Sequence, residues 1–234
     1  MTFDNLQPFD LSLLQAFNDS HSLFADALSC YFTSGFTWVP LYIGLFILVM
    51  KNNETMTQVG LVLGCTAIAL LLSGGVDDLL VKPLVGRLRP SCDPLVKYSI
   101  DTIPGFRGNG YSFFSAHAAN TMSIAVLFIW LVRDRLLSGL LVIWSLINCW
   151  TRLYLGVHYP SDILVGLLWG AASGSIAYLL FHHVYYRFTE KINYISTQYS
   201  STGYSKNDID IVVAIFVMTL AVVILLAVHT ASSY

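Results

Sequence analysis

Seven residues at the ends of apolar segments carry side chains suited to phosphate chemistry. They are Lys82, Arg89, Ser115, His117, Arg152, His158 and Asp162. Cationic groups and imidazoles are costly inside a bilayer, so their concentration in the connections between hydrophobic segments calls for a functional explanation. Lysine and arginine hold phosphate oxygens through charge-assisted hydrogen bonds. We therefore expect a phosphate-handling site at a membrane surface.

The composition is that of a polytopic membrane protein. Of the 234 residues, 56% are hydrophobic and only 11% are charged, whereas soluble domains carry about a quarter charged residues. A formal net charge of −2 gives no basic field for nucleic acid. The four cysteines have no Cys-x-x-Cys spacing, so we expect neither a disulfide nor a zinc site. The first residues lack the pattern of a removable signal peptide, and none is expected.

Six apolar segments can cross a membrane as helices, since a hydrocarbon core of about 30 Å takes roughly 20 residues. We place them at 30–50, 56–76, 116–133, 136–154, 161–184 and 209–229. Gly35 and Pro40 predict a bend in the first. Residues 10–28 mix apolar and acidic side chains in the manner of an interfacial amphipathic helix. The expected fold is all-α, a single membrane-embedded domain over residues 1–234 with about six transmembrane helices and this N-terminal helix.

The distribution of charge predicts the orientation of these spans. Six spans place the N-terminus, residues 77–115, residues 155–160 and the C-terminus on one side. The loops of the other side carry Lys51, Arg133, Arg135, Arg187, Lys191 and Lys206. The stretch before the first span has four aspartates and no base. By the positive-inside rule, the phosphate-handling side faces away from the cytoplasm of a bacterial-type inner membrane.

Three motifs occur in order along the chain. They are Lys82, six residues, then Arg89-Pro90; Phe114-Ser115-Ala116-His117; and Thr151-Arg152, five residues, His158, three residues, Asp162. Together they resemble the motifs of the type 2 phosphatidic acid phosphatase superfamily, over roughly residues 60–180. That family usually has Pro-Ser-Gly-His and Ser-Arg where this chain has Phe114, Ala116 and Thr151. The resemblance implies a membrane phosphatase acting on lipid phosphates.

The residues themselves indicate how phosphate would be held. Ser115 precedes an apolar run and is a candidate N-cap, so the N–H groups that follow, from Ala116 on, would face an anion. Gly108 and Gly110 just upstream permit a close approach of the backbone. The charge of a transferring phosphoryl group fits three clamps, which we predict to be Lys82, Arg89 and Arg152.

The two histidines and the aspartate suit a phosphohistidine mechanism. Asp162 lies four residues after His158, so its carboxylate can accept Nδ1–H and leave Nε2 free to attack phosphorus. His158 is therefore the predicted nucleophile. His117 suits the general acid that protonates the leaving oxygen, and the resemblance assigns it the same role.

Charged residues outside the motifs admit several interpretations, and so does the cationic cluster as a whole. We interpret Arg87 and Arg107 as headgroup contacts or solvated loop charges. Asp77 and Asp78 suit a proton or cation site, or groups that hydrate a helix end. A two-metal hydrolase needs several carboxylate or histidine ligands, and the cationic cluster disfavours it, so we expect no metal or other cofactor. A transporter or anion-lipid-binding scaffold would use the same cations, but no internal repeat is evident.

The substrate expected from this pattern is a lipid phosphate or diphosphate that enters sideways between helices. By family analogy undecaprenyl diphosphate is the first choice. Lipid A, phosphatidylglycerol phosphate and phosphatidic acid are the alternatives, because all present the same phosphate to the predicted site.

Overall fold

The protein is almost wholly helical over residues 7–20, 22–103, 108, 110–188 and 196–233, which the computed structural model describes. The helices are α1 (Gln7–Asn18), α2 (Leu23–Thr33), α3 (Val39–Lys51), α4 (Met56–Val85), α5 (Ala116–Val132), α6 (Arg135–Tyr154), α7 (Pro160–Phe188) and α8 (Lys206–Ser232). The described ranges contain no β-strand, only two isolated bridges. The prediction of an all-α fold is confirmed.

The predicted spans correspond to helices of the bundle. Among the described residues, α4, α6, α7 and α8 are each long and apolar enough to cross a membrane. The pair formed by α2 and residues 35–51 passes the same test together, with a bend of 67°, and α5 is a shorter apolar helix of 17 residues. The bend falls where it was predicted. Gly35 starts a 3₁₀ turn, and Pro40 lies in the first turn of α3, where a missing N–H is tolerated.

The predicted amphipathic segment 10–28 is two helices rather than one. Helix α1 ends at Asn18, and Ser22 caps α2 by accepting from the Ala25 N–H. Two polar residues of α1 are turned toward the protein, since Asp10 is 2% and Asn18 is 3% exposed. Its exposed side carries Phe9, Leu13 and Phe17, spaced four apart. The face of α1 that docks on the bundle therefore carries Asp10 and Asn18 together with Leu14, which is fully buried.

Residues far apart in the sequence contact each other at both ends of the bundle. At one end, Lys51 contacts the carboxylate of Asp208, and the Thr202 hydroxyl donates to the Val132 carbonyl at 2.8 Å. At the other end, the Asn18 amide on α1 donates to the carbonyl that ends α6, at 2.7 Å. This second end holds the phosphate-handling motifs.

Helices α5 and α7 pack backbone against backbone along three glycines of α7. Gly166, Gly170 and Gly174 repeat every four residues, and a Cβ at each would lie 2.3 to 2.7 Å from a carbonyl oxygen of α5. Glycine at this spacing allows close approach of two membrane helices. The repeat is visible in the sequence but was not among the predicted features. It fixes the start of α5 against the start of α7.

Helix α4 widens into two π-helical turns before it reaches the site. They span Leu71–Gly75 and Asp77–Val81. The side-chain oxygen of Asn120 on α5 accepts from the Gly74 N–H at 2.8 Å, and a Cβ at Gly74 would collide with it. In a π-turn, residues five apart face each other. Asp77 and Lys82 consequently form an ion pair of 3.0 Å.

Candidate active site

His158 lies in the short connection between α6 and α7 and is 3% exposed. Its Nε2 is 3.3 Å from Nη1 of Arg89. Because a guanidinium only donates, Nε2 accepts, and the ring proton is on Nδ1. This is the tautomer that a nucleophilic Nε2 requires. Burial lowers the pKa of His158 to about 4, against the opposing effect of Asp162.

Asp162 is fully buried in the first turn of α7 and has more partners than the sequence suggested. Its Oδ2 lies 3.6 Å from Nδ1 of His158, beyond hydrogen-bond length, and accepts from the Tyr159 N–H at 2.9 Å. Its Oδ1 accepts from Nη1 of Arg87 at 2.6 Å. The predicted hydrogen bond from His158 is therefore an electrostatic contact in this structure, because the carboxylate is held by other donors.

One of the two interpretations of Arg87 from the sequence is wrong. Its side chain is 7% exposed and contacts the carboxylates of Asp10 and Asp162, so it is not a solvated loop charge. Arg107 lies outside the described residues. A signal for the position of Arg87 was present, because residues two apart in an extended chain point to the same side. Arg89 reaches His158, and Arg87, two positions earlier, reaches the carboxylate behind it.

His117 and Arg152 meet on the other side of the site. Nη2 of Arg152 contacts Nε2 of His117, which must accept and is therefore neutral at that atom. Nη1 of Arg152 donates to the Thr33 hydroxyl at 2.7 Å, so the bent α2 contributes a contact that the motifs do not reveal. Nε of Arg152 is buried without a hydrogen-bond partner. Arg152, His158, Lys82 and Arg89 all act electrostatically on His117.

Ser115 is the N-cap of α5, as predicted. Its backbone is extended, with φ −83° and ψ 107°, and its hydroxyl accepts from the Ala118 N–H at 3.4 Å. Its own N–H donates to the Asp162 carbonyl at 3.1 Å. The first N–H groups of a helix have no partner within the helix, so the donors offered to an anion begin at Ala116.

The departure from proline at position 114 has a structural counterpart. The Phe114 N–H donates to Oδ1 of Asp77 at 3.1 Å, a bond that proline cannot form. Asp77 is fully buried and also pairs with Lys82, whose Nζ lies 2.6 Å from Oδ1 of Asp78. The carboxylates of Asp77 and Asp78 are thus both ion-paired with Lys82. This pairing explains their position without a separate cation site.

Arg89 is held by the chain around it. Nη1 donates to the Val157 carbonyl at 3.1 Å, and burial lowers the pKa of the guanidinium while Asp162 opposes the shift. A Cβ at Gly108 would lie 2.7 Å from Cδ of Arg89. Gly108 thus allows a close approach to the backbone, as predicted, but the group that approaches is the side chain of Arg89. Gly110 adopts a positive φ of 75°.

Within the described residues, no three His, Cys, Asp or Glu side chains come together as a metal site.

All three motifs therefore meet at one end of the bundle, and known proteins share their pattern. The sequence profile of the PAP2 superfamily matches residues 58–187. The chain belongs to the PAP2 superfamily. It is 36% identical over 179 residues to the lipid A 4'-phosphatase of Bacteroides thetaiotaomicron, covering 76% of this chain and 79% of that relative.

Two further PAP2 proteins bear on fold and substrate. The crystal structure of Aquifex aeolicus LpxE matches with a TM-score of 0.56 and 25% identity over 71% of this chain and 93% of that chain. The putative undecaprenyl-diphosphatase YbjG of Escherichia coli is 45% identical, but over 60 residues, which are 25% of this chain and 29% of that relative. As a PAP2 member, this chain is a membrane lipid phosphatase, a hydrolase acting on phosphate esters.

Proposed function

We propose that this PAP2 protein hydrolyses a lipid phosphate without a metal, through a phosphohistidine at His158. The observation that carries the proposal is the position of Nε2 of His158, 3.3 Å from the guanidinium of Arg89. A nucleophile whose lone pair already faces a phosphate-binding cation is oriented for attack on phosphorus.

The cations supply the charge that phosphoryl transfer needs. Lys82, Arg89 and Arg152 would bind the three oxygens of the transferring group, assisted by the backbone N–H of Ala116. In the structure these bases contact Asp77, Asp78, His158 and His117. Phosphate would take over the contacts that Arg89 and Arg152 make with the imidazoles. Binding would thereby free both imidazoles for reaction.

The reaction has two balanced steps. Nε2 of His158 attacks phosphorus, the bond from phosphorus to the lipid oxygen breaks, and that oxygen takes a proton from His117. Water then attacks phosphorus and gives its proton to His117, the bond from phosphorus to Nε2 of His158 breaks, and inorganic phosphate is released. The negative phosphate favours the protonated form of His117 once Arg152 has turned to the substrate. Asp162 stabilises the positive imidazole ring in between.

The substrate that the relatives favour is a phosphate monoester of the lipid A class. The similarity to the lipid A 4'-phosphatase covers 76% of this chain, whereas the similarity to YbjG covers 25% of this chain. This reverses the first choice, undecaprenyl diphosphate, in favour of the alternative. We place the site on the outer face of a bacterial inner membrane, following the distribution of basic loops.

A groove in the bundle suits the acyl chains of such a substrate. It has a volume of about 420 Å³ and is lined by residues of α3, α4 and α5 that include Phe46, Leu63, Leu70, Asn120 and Thr121. Thr121 donates to the carbonyl of His117 at 2.8 Å, one turn along α5. An acyl chain in this groove would therefore lie beside the imidazole that protonates its headgroup.

Purified protein in detergent tests the proposal with lipid A, undecaprenyl diphosphate, phosphatidylglycerol phosphate and phosphatidic acid as substrates. Phosphate release from lipid A should persist in chelator, be inhibited by vanadate, and disappear in His158→Ala. A phosphoenzyme trapped by acid-free quenching should be absent in the same variant. Near-normal turnover by folded His158→Ala would overturn the mechanism. Loss of turnover in chelator, with recovery on adding metal, would overturn metal independence.

A further inference from the structure

Asp10 lies on α1, far in sequence from the three motifs, yet it reaches the carboxylate behind the nucleophile. Its side chain is 2% exposed. Oδ1 accepts from the Ser161 N–H at 3.0 Å, and Oδ2 accepts from the Ser161 hydroxyl at 2.5 Å. Oδ2 also accepts from Nη2 of Arg87 at 2.7 Å. Asp10 therefore supplies negative charge at the start of α7, where a helix favours it.

Arg87 connects Asp10 to Asp162. Its Nη1 donates to Oδ1 of Asp162 at 2.6 Å and to the Ser161 hydroxyl at 2.8 Å, while Nη2 is bound to Asp10. The guanidinium also lies over the ring of Tyr159, with Cζ 3.9 Å from its centre. One buried cation is thus shared by two carboxylates, one on α1 and one on α7.

Because Arg87 pairs with both carboxylates, Asp10 affects the electrostatic attraction between Asp162 and His158. A guanidinium bound to one carboxylate alone would neutralise Asp162 and weaken its attraction for the imidazole at 3.6 Å. Asp10 draws part of that positive charge toward α1. We infer that Asp10 is a positioning residue of the phosphatase reaction, acting through Arg87 to keep the charge behind His158 net negative and Asp162 aligned toward His158. This inference rests on the proposed role of His158.

Loosening of α1 is the competing explanation, and the contacts allow the two to be separated. The helix is held independently by Leu14, which is fully buried, and by Asn18, whose amide donates to the Asp101 and Tyr154 carbonyls at 2.8 and 2.7 Å. Asp10→Asn keeps the size of the side chain and an oxygen for Ser161. It removes the charge and replaces one acceptor oxygen by an NH2 group, which cannot accept from Arg87.

The test compares Asp10→Asn with Asp10→Glu, which restores the charge, and with Asp208→Asn. Asp208 is another buried carboxylate paired with a base, at the opposite end of the bundle. Asp10→Asn should lower kcat about 10-fold with little change in KM. Losses of about this size follow when a hydrogen-bond partner behind a metal ligand is removed. Asp10→Glu should recover most of the activity, and Asp208→Asn should match the wild type.

The pH profile supplies a readout that a purely structural role would not move. The titratable and charged groups acting on His158 are Asp162 on α7, Arg89 in the connection after α4, Arg152 on α6 and His117 on α5. With less negative charge behind it, His158 should be a weaker base, so the acid limb of kcat/KM should move to lower pH in Asp10→Asn. The ionisation of the substrate is common to both proteins and does not contribute to the difference.

The outcomes distinguish this inference from the mechanism on which it rests. If His158→Ala is inactive while Asp10→Asn has wild-type kcat and an unmoved profile, Asp10 has no positioning role and the phosphohistidine mechanism survives. If Asp10→Glu is as impaired as Asp10→Asn, charge is not the cause and the inference fails. If His158→Ala remains active, the mechanism fails, whatever Asp10 does.

Discussion

Ser115 and Asp162 are joined through their backbones, with the Ser115 N–H donating to the Asp162 carbonyl at 3.1 Å. This bond connects the N-cap of α5 to the first turn of α7. The helix start that would bind phosphate and the carboxylate behind the nucleophile are therefore placed relative to each other by main chain rather than by flexible side chains. Geometry of this kind limits the reorganisation that phosphoryl transfer requires.

The stability of the protein should depend on pH through His158. Its pKa falls from 6.5 to about 4 on burial, so between these values the unfolded chain takes up a proton that the folded protein refuses. Stability is complete above pH 6.5 and declines as the pH falls through this window, by roughly 3 kcal/mol in full. Thermal unfolding in detergent at pH 7 and pH 4 should show a smaller decline for His158→Gln. An equal decline in both proteins would contradict the burial of a neutral imidazole.

Removal of His117 should matter most for poor leaving groups. His117→Ala should slow hydrolysis of alkyl phosphates by roughly 100-fold or more, since an alkoxide needs a proton to depart. Aryl phosphates, whose leaving oxygen is stable as an anion, should be affected much less. Steady-state kinetics on both substrates, with His182→Ala at the opposite end as control, give the comparison. A uniform loss across leaving groups would argue against a general acid at this position.

The close packing of α5 and α7 should tolerate no side chain at Gly170. A Cβ there would lie 2.3 Å from the Ala119 carbonyl oxygen, so Gly170→Ala should destabilise the bundle by roughly 1–3 kcal/mol and reduce activity by displacing Ser115. Gly64→Ala on α4 is the matched control, because no atom lies within 4 Å of the new Cβ. Thermal unfolding of the two variants measures the difference. Equal unfolding temperatures would show that the helices can separate without cost.

Filling the groove should impair lipid substrates selectively. Leu63→Trp places a larger ring among the lining residues of α3, α4 and α5 and should raise KM for a lipid phosphate several-fold. A small soluble phosphate ester does not need the groove, so its kcat/KM should be unchanged. Leu168→Trp on the exposed face of α7, where the leucine is 65% exposed, is the control. Impairment of both substrates alike would mean that the groove does not hold acyl chains.

The orientation of the chain can be read from a native thiol. Cys92 is exposed in the connection that carries Arg89, Cys30 is partly exposed, and Cys65 and Cys149 are buried. In a Cys30→Ser background, an impermeant maleimide should therefore label the protein in intact cells, and adding Cys92→Ser should remove the label. Thr197→Cys, added to both changes, places a thiol at an exposed position of the opposite end. It should react only after cells are opened, and the reverse pattern would invert the proposed topology.

Features that carry a local signal could be predicted from the sequence. Apolar length indicates the helices of the bundle, and the residue types of the motifs indicate the residues proposed for the site, His158, His117, Lys82, Arg89 and Arg152. The role proposed for Asp10 could not be predicted, because its contact with Ser161 joins residues 151 positions apart. No local pattern reports such a partnership. The glycine repeat of α7 could have been recognised, since its spacing alone predicts close helix packing.

The π-helical turns of α4 make the position of Lys82 depend on how many residues precede it. Each such turn accommodates a residue beyond the ordinary helical repeat, and an α-helix turns about 100° per residue. A deletion of one residue between Leu71 and Val81 would rotate the ammonium group away from the site while changing no motif. In an alignment, a relative with an ordinary helix here would show a one- or two-residue gap just before its basic motif. Such a gap would mark a difference in helical winding, with the lysine proposed to bind phosphate still in place.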